Sequence, residues 1–427
     1  MVRSLRARLV VMFVMVPWGA VFADDPAPSE KPRQDFKVSP EAAALHKSAL
    51  VVDGHNDLPW ALRDAGDRVF KKIDIAQAQP KFHTDIPRLR QGGVGAQFWS
   101  VYVPASTRND GTALQTTLEQ IDIVDAMLDR YPETFERALT ADDVMRVWKS
   151  GKIASLIGVE GGHSIENSLN ALRQLFERGA RYMTLTHSDT LDWADSATDV
   201  ERHGGLTPFG EEVVREMNRL GMLVDISHVS IKTMHHTLRV TKAPIIFSHS
   251  SARAIADHPR NVPDEVLREL PGNGGVVMVN FYSGFVVPAS TKISAEYAAL
   301  RMELMKKYPD DRDRVGKELK EFELKHPLAR GSIQDVLDHI DHIVKVAGID
   351  HVGLGSDFDG ISMVPVGLED VATYPHITQG LLDRGYSHED IRKILGENLV
   401  RVMRGTERTA MEEKRNKGRE KPETNEN

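Results

Sequence analysis

Histidines and carboxylates recur in short polar motifs that each follow an apolar run: His55 and Asp57 in VVDGHND, Glu160 in IGVEGGHS, His187 in TLTHSD, His228 in VDISHVS, His249 in IIFSHSS and Asp357 in GLGSDFDG. His55 and Asp57 stand two apart, so an extended backbone points both side chains the same way and lets them share one cation. Glu160 carries two carboxylate oxygens and can bridge two cations; its alternative is a helix N-cap or a carboxylate near a helix dipole. His228 and His249 lie 21 residues apart, the length of one strand-helix-strand unit, which puts them on neighbouring strands. Three His, one Asp and one Glu without thiolates suit two borderline-hard cations, zinc first, with manganese or cobalt as alternatives. Two such ions about 3.5 to 4 Å apart can hold a hydroxide between them and polarise a carbonyl, as water-driven amide cleavage requires. Asp357 is then the candidate to pass a proton from water to the leaving amine, its alternative being a loop carboxylate that caps a backbone amide.

Eight apolar runs precede or flank these residues: Ala49 to Val52, Gly95 to Val103, Ile153 to Val159, Tyr182 to Thr186, Met222 to Ile226, Pro244 to Phe247, Gly275 to Phe281 and His351 to Gly355. They are rich in Val and Ile and mostly lack period-2 alternation, as strands buried on both faces of a parallel sheet do. Helical patterns such as Ser168 to Arg178, Pro208 to Leu220 and Ile231 to Val240 separate them. Eight strand-helix alternations predict a (β/α)8 barrel in a single catalytic domain, and in such a barrel the C-terminal strand ends meet at one mouth. A doubly wound open sheet is the alternative, without a Gly-rich dinucleotide fingerprint to support it. Glu303 to His326 reads as an exposed helical insertion between the seventh and eighth strands, and His235, His236, His339 and His342 as surface residues.

The chain has 427 residues and 41% hydrophobic composition, enough for a large core, and no Cys, so any metal must bind through N and O. Lys and Arg number 54 against 62 Asp and Glu, a net charge of −8, which lacks the basic excess that nucleic acid demands. Residues 1–23 carry Arg3, Arg6 and Arg8, an apolar run from Leu9 to Val16, and Val21-Phe22-Ala23 before Asp24. This pattern predicts a cleaved secretory signal peptide, after which the net charge falls from −8 to −11. Residues 24–39 read as a linker, 40–404 as the barrel and 405–427 as a charged, disordered tail. No lipid-attachment Cys and no apolar C-terminus are present, so the expectation is a soluble periplasmic or secreted bacterial protein without a stable membrane anchor. A homodimer is the oligomeric alternative to a monomer.

Taken in order, DGHND (53–57), VEGGHSI (159–165), LTHSDTLDWADS (185–196), DISHVS (225–230), FSHSSARAI (247–255), RNVPDEVL (260–267), VMVNFYSG (277–284) and GSDFDG (355–360) span most of the chain. In these motifs the sequence resembles the membrane dipeptidase (renal dipeptidase) family of zinc peptidases, within the metal-dependent amidohydrolase superfamily. The resemblance implies a distorted (β/α)8 barrel holding two Zn2+ per chain, with His55 and Asp57 on one ion, His228 and His249 on the other, and Glu160 between them. It also implies His187 at the substrate carbonyl or developing oxyanion, Arg260 at the substrate carboxylate, Asp357 in proton transfer and Tyr282 in the pocket. The implied substrates are dipeptides, often with a D-residue at the C-terminal position, and for some members carbapenems or cysteinyl leukotrienes. Animal members carry disulfides and a GPI anchor, whereas this sequence has no Cys and no anchor signal, so the expectation is a bacterial exported relative. The acids Asp189 and Asp192 beside His187 are a second departure, and they bear on substrate choice. Another amidohydrolase activity, lactonase or N-acyl amino acid deacylase, is the enzymatic alternative, and an inactive metal-binding relative the non-enzymatic one.

Overall fold

The computed structural model describes residues 36–308 and 311–419. Among the described residues nine strands form: β1 (Val51–Asn56), β2 (Val94–Tyr102), β3 (Phe135–Arg137), β4 (Ile153–Glu160), β5 (Ala180–Thr184), β6 (Leu223–Asp225), β7 (Ile246–Phe247), β8 (Val276–Val279) and β9 (Val352–Leu354). Every pairing is parallel, and the chain of neighbours closes because β2 pairs with both β1 and β4. Eight strands therefore make a ring, and each contains or overlaps one of the eight apolar runs. The short β3 stands outside it, beside residues 153–155 of β4, on the edge whose upper part β5 occupies. The result is a (β/α)8 barrel in a single domain, as the alternation predicts. The open sheet is excluded by the closure.

Closure explains the composition of the strands. Each barrel strand apart from β5, whose Arg181 is partly exposed, is buried along its whole length, because helices cover its outer face and other side chains its inner face. The covering helices begin where their sequences cap them. Thr207 caps Pro208–Leu220, which ends at Gly221 with φ of +83°, a conformation glycine adopts without strain. Ser332 and Asp335 form a reciprocal capping box on Ile333–Ala347, whose buried stripe of Ile333, Val336, Leu337, Ile340 and Ile343 faces the barrel.

Four expectations are corrected. The insertion before the last strand starts earlier than Glu303: two helices, Pro288–Lys307 and Arg312–Lys325, lie between β8 and β9 and bury a small core of Leu304, Val315 and Leu319. His339 is not at the surface. It is fully buried, with Nδ1 accepting from Ala252 N at 2.9 Å and Nε2–H donating to Val286 O at 3.0 Å, so both ring nitrogens are satisfied inside the protein. The domain does not stop at residue 404, since one helix runs Asn398–Arg419. Its stripe Leu399, Val402, Met403, Thr406 and Ala410 is buried at helical spacing, so the charges beyond Gly405 belong to the outer face of a packed helix. Glu407 accepts a hydrogen bond from Ala141 N at 2.8 Å. At the other end, Ser39 caps Pro40–Ser48, which makes the last linker residue part of the barrel domain. The proposed signal peptide, residues 24–35 of the linker and residues 420–427 of the tail lie outside the described residues. Among the described residues no helix is long and apolar enough to cross a membrane.

Truncation after Arg404 should lower the unfolding free energy by about 1–3 kcal/mol, through loss of the buried Thr406 and Ala410 and the Glu407 bond. Urea unfolding of the two chains measures this, and equal midpoints would return residues 405–419 to the status of a tail.

Candidate active site

All the residues singled out by type and spacing arrive at one end of the barrel. Glu160 is the last residue of β4, Asp57 follows β1 directly, and His187, His228, His249, Tyr282 and Asp357 stand within three residues of the ends of β5, β6, β7, β8 and β9. Arg260 comes from the loop after β7. In a parallel barrel these C-terminal ends form one mouth.

Glu160 is the hub. Its Oε1 lies 3.2 Å from His228 Nε2, 3.5 Å from His249 Nε2 and 3.6 Å from His187 Nε2, while Oε2 lies 3.5 Å from His55 Nε2. His55 Nε2 is also 3.2 Å from Asp57 Oδ2. His228 and His249 turn their Nε2 atoms toward each other at 2.9 Å, where only one proton can sit. His55 Nε2 and Asp57 Oδ1 are buried with no hydrogen-bond partner among the described residues. Converging nitrogens and unpartnered buried donors fit cations rather than a self-contained hydrogen-bond network. Donor atoms within 4.8 Å of one another form three groups: His55, Glu160 and His249; Glu160, His187 and His228; and His55, Asp57 and Asp357.

Electrostatics separate the carboxylates. Burial pushes Glu160 up, but the surrounding imidazoles, His55 first, outweigh it and hold the carboxyl well below the usual range. Burial pushes Asp357 well above that range, and the negative Asp57 and Glu160 add to it against the pull of His55. Two neighbouring carboxyls driven apart in this way suit an ionised ligand and a proton carrier. Burial also lowers His187, and lowers His228 and His249 strongly, which keeps these imidazoles neutral. Asn280 Nδ2 donates to Asp357 Oδ2 at 2.8 Å and fixes that carboxyl.

Arg260 is 2% exposed and has no carboxylate partner among the described residues. Its Nη1 donates to Ser250 Oγ at 3.3 Å and Nη2 to His249 O at 3.2 Å, Nε is left without a partner, and the guanidinium stands 5.4 Å from the Phe285 ring centre. Burial pushes it down to about 10, so it remains cationic at neutral pH. Tyr282 packs edge-on against the same Phe285, and Tyr102 stands 4.9 Å from the His187 ring. Asp189 is half-buried next to His187, whereas Asp192 accepts from Asn167 Nδ2 at 2.9 Å.

Several positioning residues were not singled out by sequence. Asp225, fully buried at the end of β6, accepts from Thr184 Oγ1, Ser248 Oγ and the backbone N of Ser227 and Ser248. Asp53 in β1 accepts from Ser356 N at 2.8 Å and Ser356 Oγ at 2.7 Å. The available signal was a carboxylate inside an apolar strand motif, VVDGH or LVDISH, which has to find donors when buried. Gly360 had no such signal: a Cβ there would lie 2.2 Å from Asp57 Oδ2 and 2.8 Å from Asp357 Oδ1.

A parallel (β/α)8 barrel whose mouth gathers His, Asp and Glu donors defines a metal-dependent hydrolase site. Residues 40–417 match the model of the membrane dipeptidase family (peptidase family M19), and the chain belongs to that family. It is a metallo-dipeptidase. Solved structures agree. The probable dipeptidase PvdM from Pseudomonas aeruginosa is 25% identical with a TM-score of 0.77, over 88% of this chain and 100% of that one. The dipeptidase AC, a metallopeptidase, is 25% identical with a TM-score of 0.67, over 84% and 99%. A metallopeptidase from Rhodobacter sphaeroides, liganded with a phosphinate mimic of the dipeptide L-Ala-D-Ala, gives the same identity, TM-score and coverage.

Replacing Gly360 by Ala should displace Asp57 and lower metal uptake about 10-fold or more, as changes that misplace a ligand do. Metal content after dialysis against a weak chelator measures it, and full retention would show that the Asp57 carboxylate tolerates the displacement.

Proposed function

We propose that this chain is an exported, zinc-dependent dipeptidase that accepts dipeptides ending in a free carboxylate, including a C-terminal D-residue. The observation that carries the substrate reading is Arg260, a buried cation without a counter-ion beside the ligand cluster. A lone buried charge is costly unless something pairs with it, and a planar guanidinium grips a carboxylate through two parallel hydrogen bonds. A dipeptide presents that group one residue beyond the scissile bond, so the clamp measures substrate length. The D-residue rests on the family resemblance and on the L-Ala-D-Ala mimic bound by the Rhodobacter enzyme. Export rests on the pattern of residues 1–23.

His55 and Asp57 would hold one zinc, His228 and His249 a second, and Glu160 would lie between them. Bound as a pair, such ions supply Lewis acidity and a lowered pKa for water. The rest is done by this chain's side chains. Arg260 binds the carboxylate and orients the peptide, and Tyr282 lines the pocket beside it. His187 faces the carbonyl oxygen and stabilises the charge that develops there. Asp357, with its raised pKa and its hydrogen bond from Asn280, takes a proton from the attacking water and delivers it to the leaving amine. Geometry alone would also admit Asp357 as a ligand, since it lies among the donors of His55 and Asp57.

Three outcomes are expected. Elemental analysis of the active enzyme should find two metals per chain, and activity lost to a chelator should return with zinc; a single tight metal would count against the paired site. Asp357→Asn should keep its metal and lose about 10²-fold or more in kcat, whereas loss of metal would make it a ligand. Wild type should strongly prefer a free dipeptide over its C-terminal amide, and Arg260→Ala should lose most of that preference, with about 2–5 kcal/mol in kcat/KM on the free acid. Equal discrimination by both proteins would place carboxylate recognition elsewhere. Lactones and N-acyl amino acids assayed in parallel separate dipeptidase from the other amidohydrolase activities.

A further inference from the structure

His55 can serve the site only through Nε2, the atom that faces Asp57 and Glu160 and has no hydrogen-bond partner. A neutral imidazole that offers Nε2 must carry its proton on Nδ1, and at zero exposure that N–H needs an acceptor inside the protein. The atom there is Tyr182 Oη, 2.7 Å from Nδ1. Tyr182 belongs to β5, three strands away from β1 around the ring, and is itself fully buried.

The reach is made possible by a glycine. Tyr182 is the register partner of Gly158 on β4, and a Cβ at Gly158 would lie 1.9 Å from Tyr182 Cζ. The ring therefore lies flat over the Gly158 backbone, against Phe98 of β2 at 4.9 Å between ring centres, and its hydroxyl emerges beneath His55. The other two proposed histidine ligands are backed differently. His249 Nδ1 meets Ser248 Oγ at 2.8 Å, which donates on to Asp225 at 2.6 Å, while His228 Nδ1 has no partner among the described residues.

We propose that Tyr182 is a positioning residue for the metal held by His55 and Asp57: its hydroxyl accepts the His55 Nδ1–H and so sets the tautomer and ring plane that present Nε2 to the ion. This rests on the metal-binding reading above. Partners of this kind typically contribute about 10- to 100-fold in metal affinity. Because a hydroxyl both donates and accepts, the same Tyr182 can also satisfy a bare Nδ1 before the metal arrives.

The test compares full-length wild type with Tyr182→Phe, which keeps the ring over Gly158 and removes one oxygen. Zinc affinity is read by chelator competition for each equivalent, and melting temperature is read with and without zinc. The expected result is one equivalent weakened about 10- to 100-fold with the other unchanged, and a smaller zinc-induced rise in melting temperature. Unchanged affinity for both equivalents would overturn the proposal. So would an equal drop in melting temperature with and without zinc, which would make Tyr182 a packing residue only. Failure of wild type itself to take up metal would overturn the reading of the site, and this inference with it.

Discussion

A single carboxylate at the end of one buried strand organises the mouth of the barrel. Glu160 brings four imidazoles within 3.6 Å of its two oxygens and also accepts from Ser100 Oγ at 3.2 Å. Burial drives three of these imidazoles, His187, His228 and His249, neutral, and His55 alone is raised, by Tyr182, Asp57 and Glu160 against its own burial, which leaves little positive charge around the buried carboxylate. Bound metal would resolve this, and its requirement for fixed donors accounts for much of the surrounding structure.

Fixing those donors is the work of the layer below. Asp225 ties the ends of β6, β7 and β5 through Ser248 and Thr184, and Asp53 ties β1 to the segment after β9 through Ser356. Each sits two or three residues before a histidine, so holding the aspartate holds the turn that aims the ring. That turn is strained where the aim demands it: His228, Asp357 and Asp359 adopt φ near +65°, sparsely populated for residues with a side chain. Asp359 accepts from His83 N at 2.6 Å and its own N–H donates to His83 Nδ1 at 2.9 Å, which clamps the GSDFDG loop in that conformation.

The substrate side of the mouth follows a different logic. Its aromatic residues Tyr102, Tyr282 and Phe285 and the unpaired Arg260 stand at or beyond the C-terminal ends of β2, β8 and β7, as binding groups on barrels do. The helices Pro288–Lys307 and Arg312–Lys325 carry their own small core. In chain order they lie between β8, which precedes Tyr282, and β9, which precedes Asp357, and they add no strand to the ring.

The amino-acid sequence by itself determined the barrel and the metal-type donors, because both are written in local patterns. Eight apolar runs mostly without alternation demand strands covered on two faces, and the polar motifs after six of them fall at strand ends whatever the details of packing. Only the tertiary structure decided what stands behind and beside those donors. The His55–Tyr182 bond joins positions 127 apart and the Asp53–Ser356 bond positions 303 apart. No local pattern encodes such pairings, which exist because closing the ring sets distant strands in register. The burial of His339, the packed helix beyond Gly405, the close approach of Gly360 to Asp57 and the missing counter-ion of Arg260 are of the same kind. Each depends on what occupies the space next to a residue, and that space is created by closure rather than by the residue's neighbours in the chain.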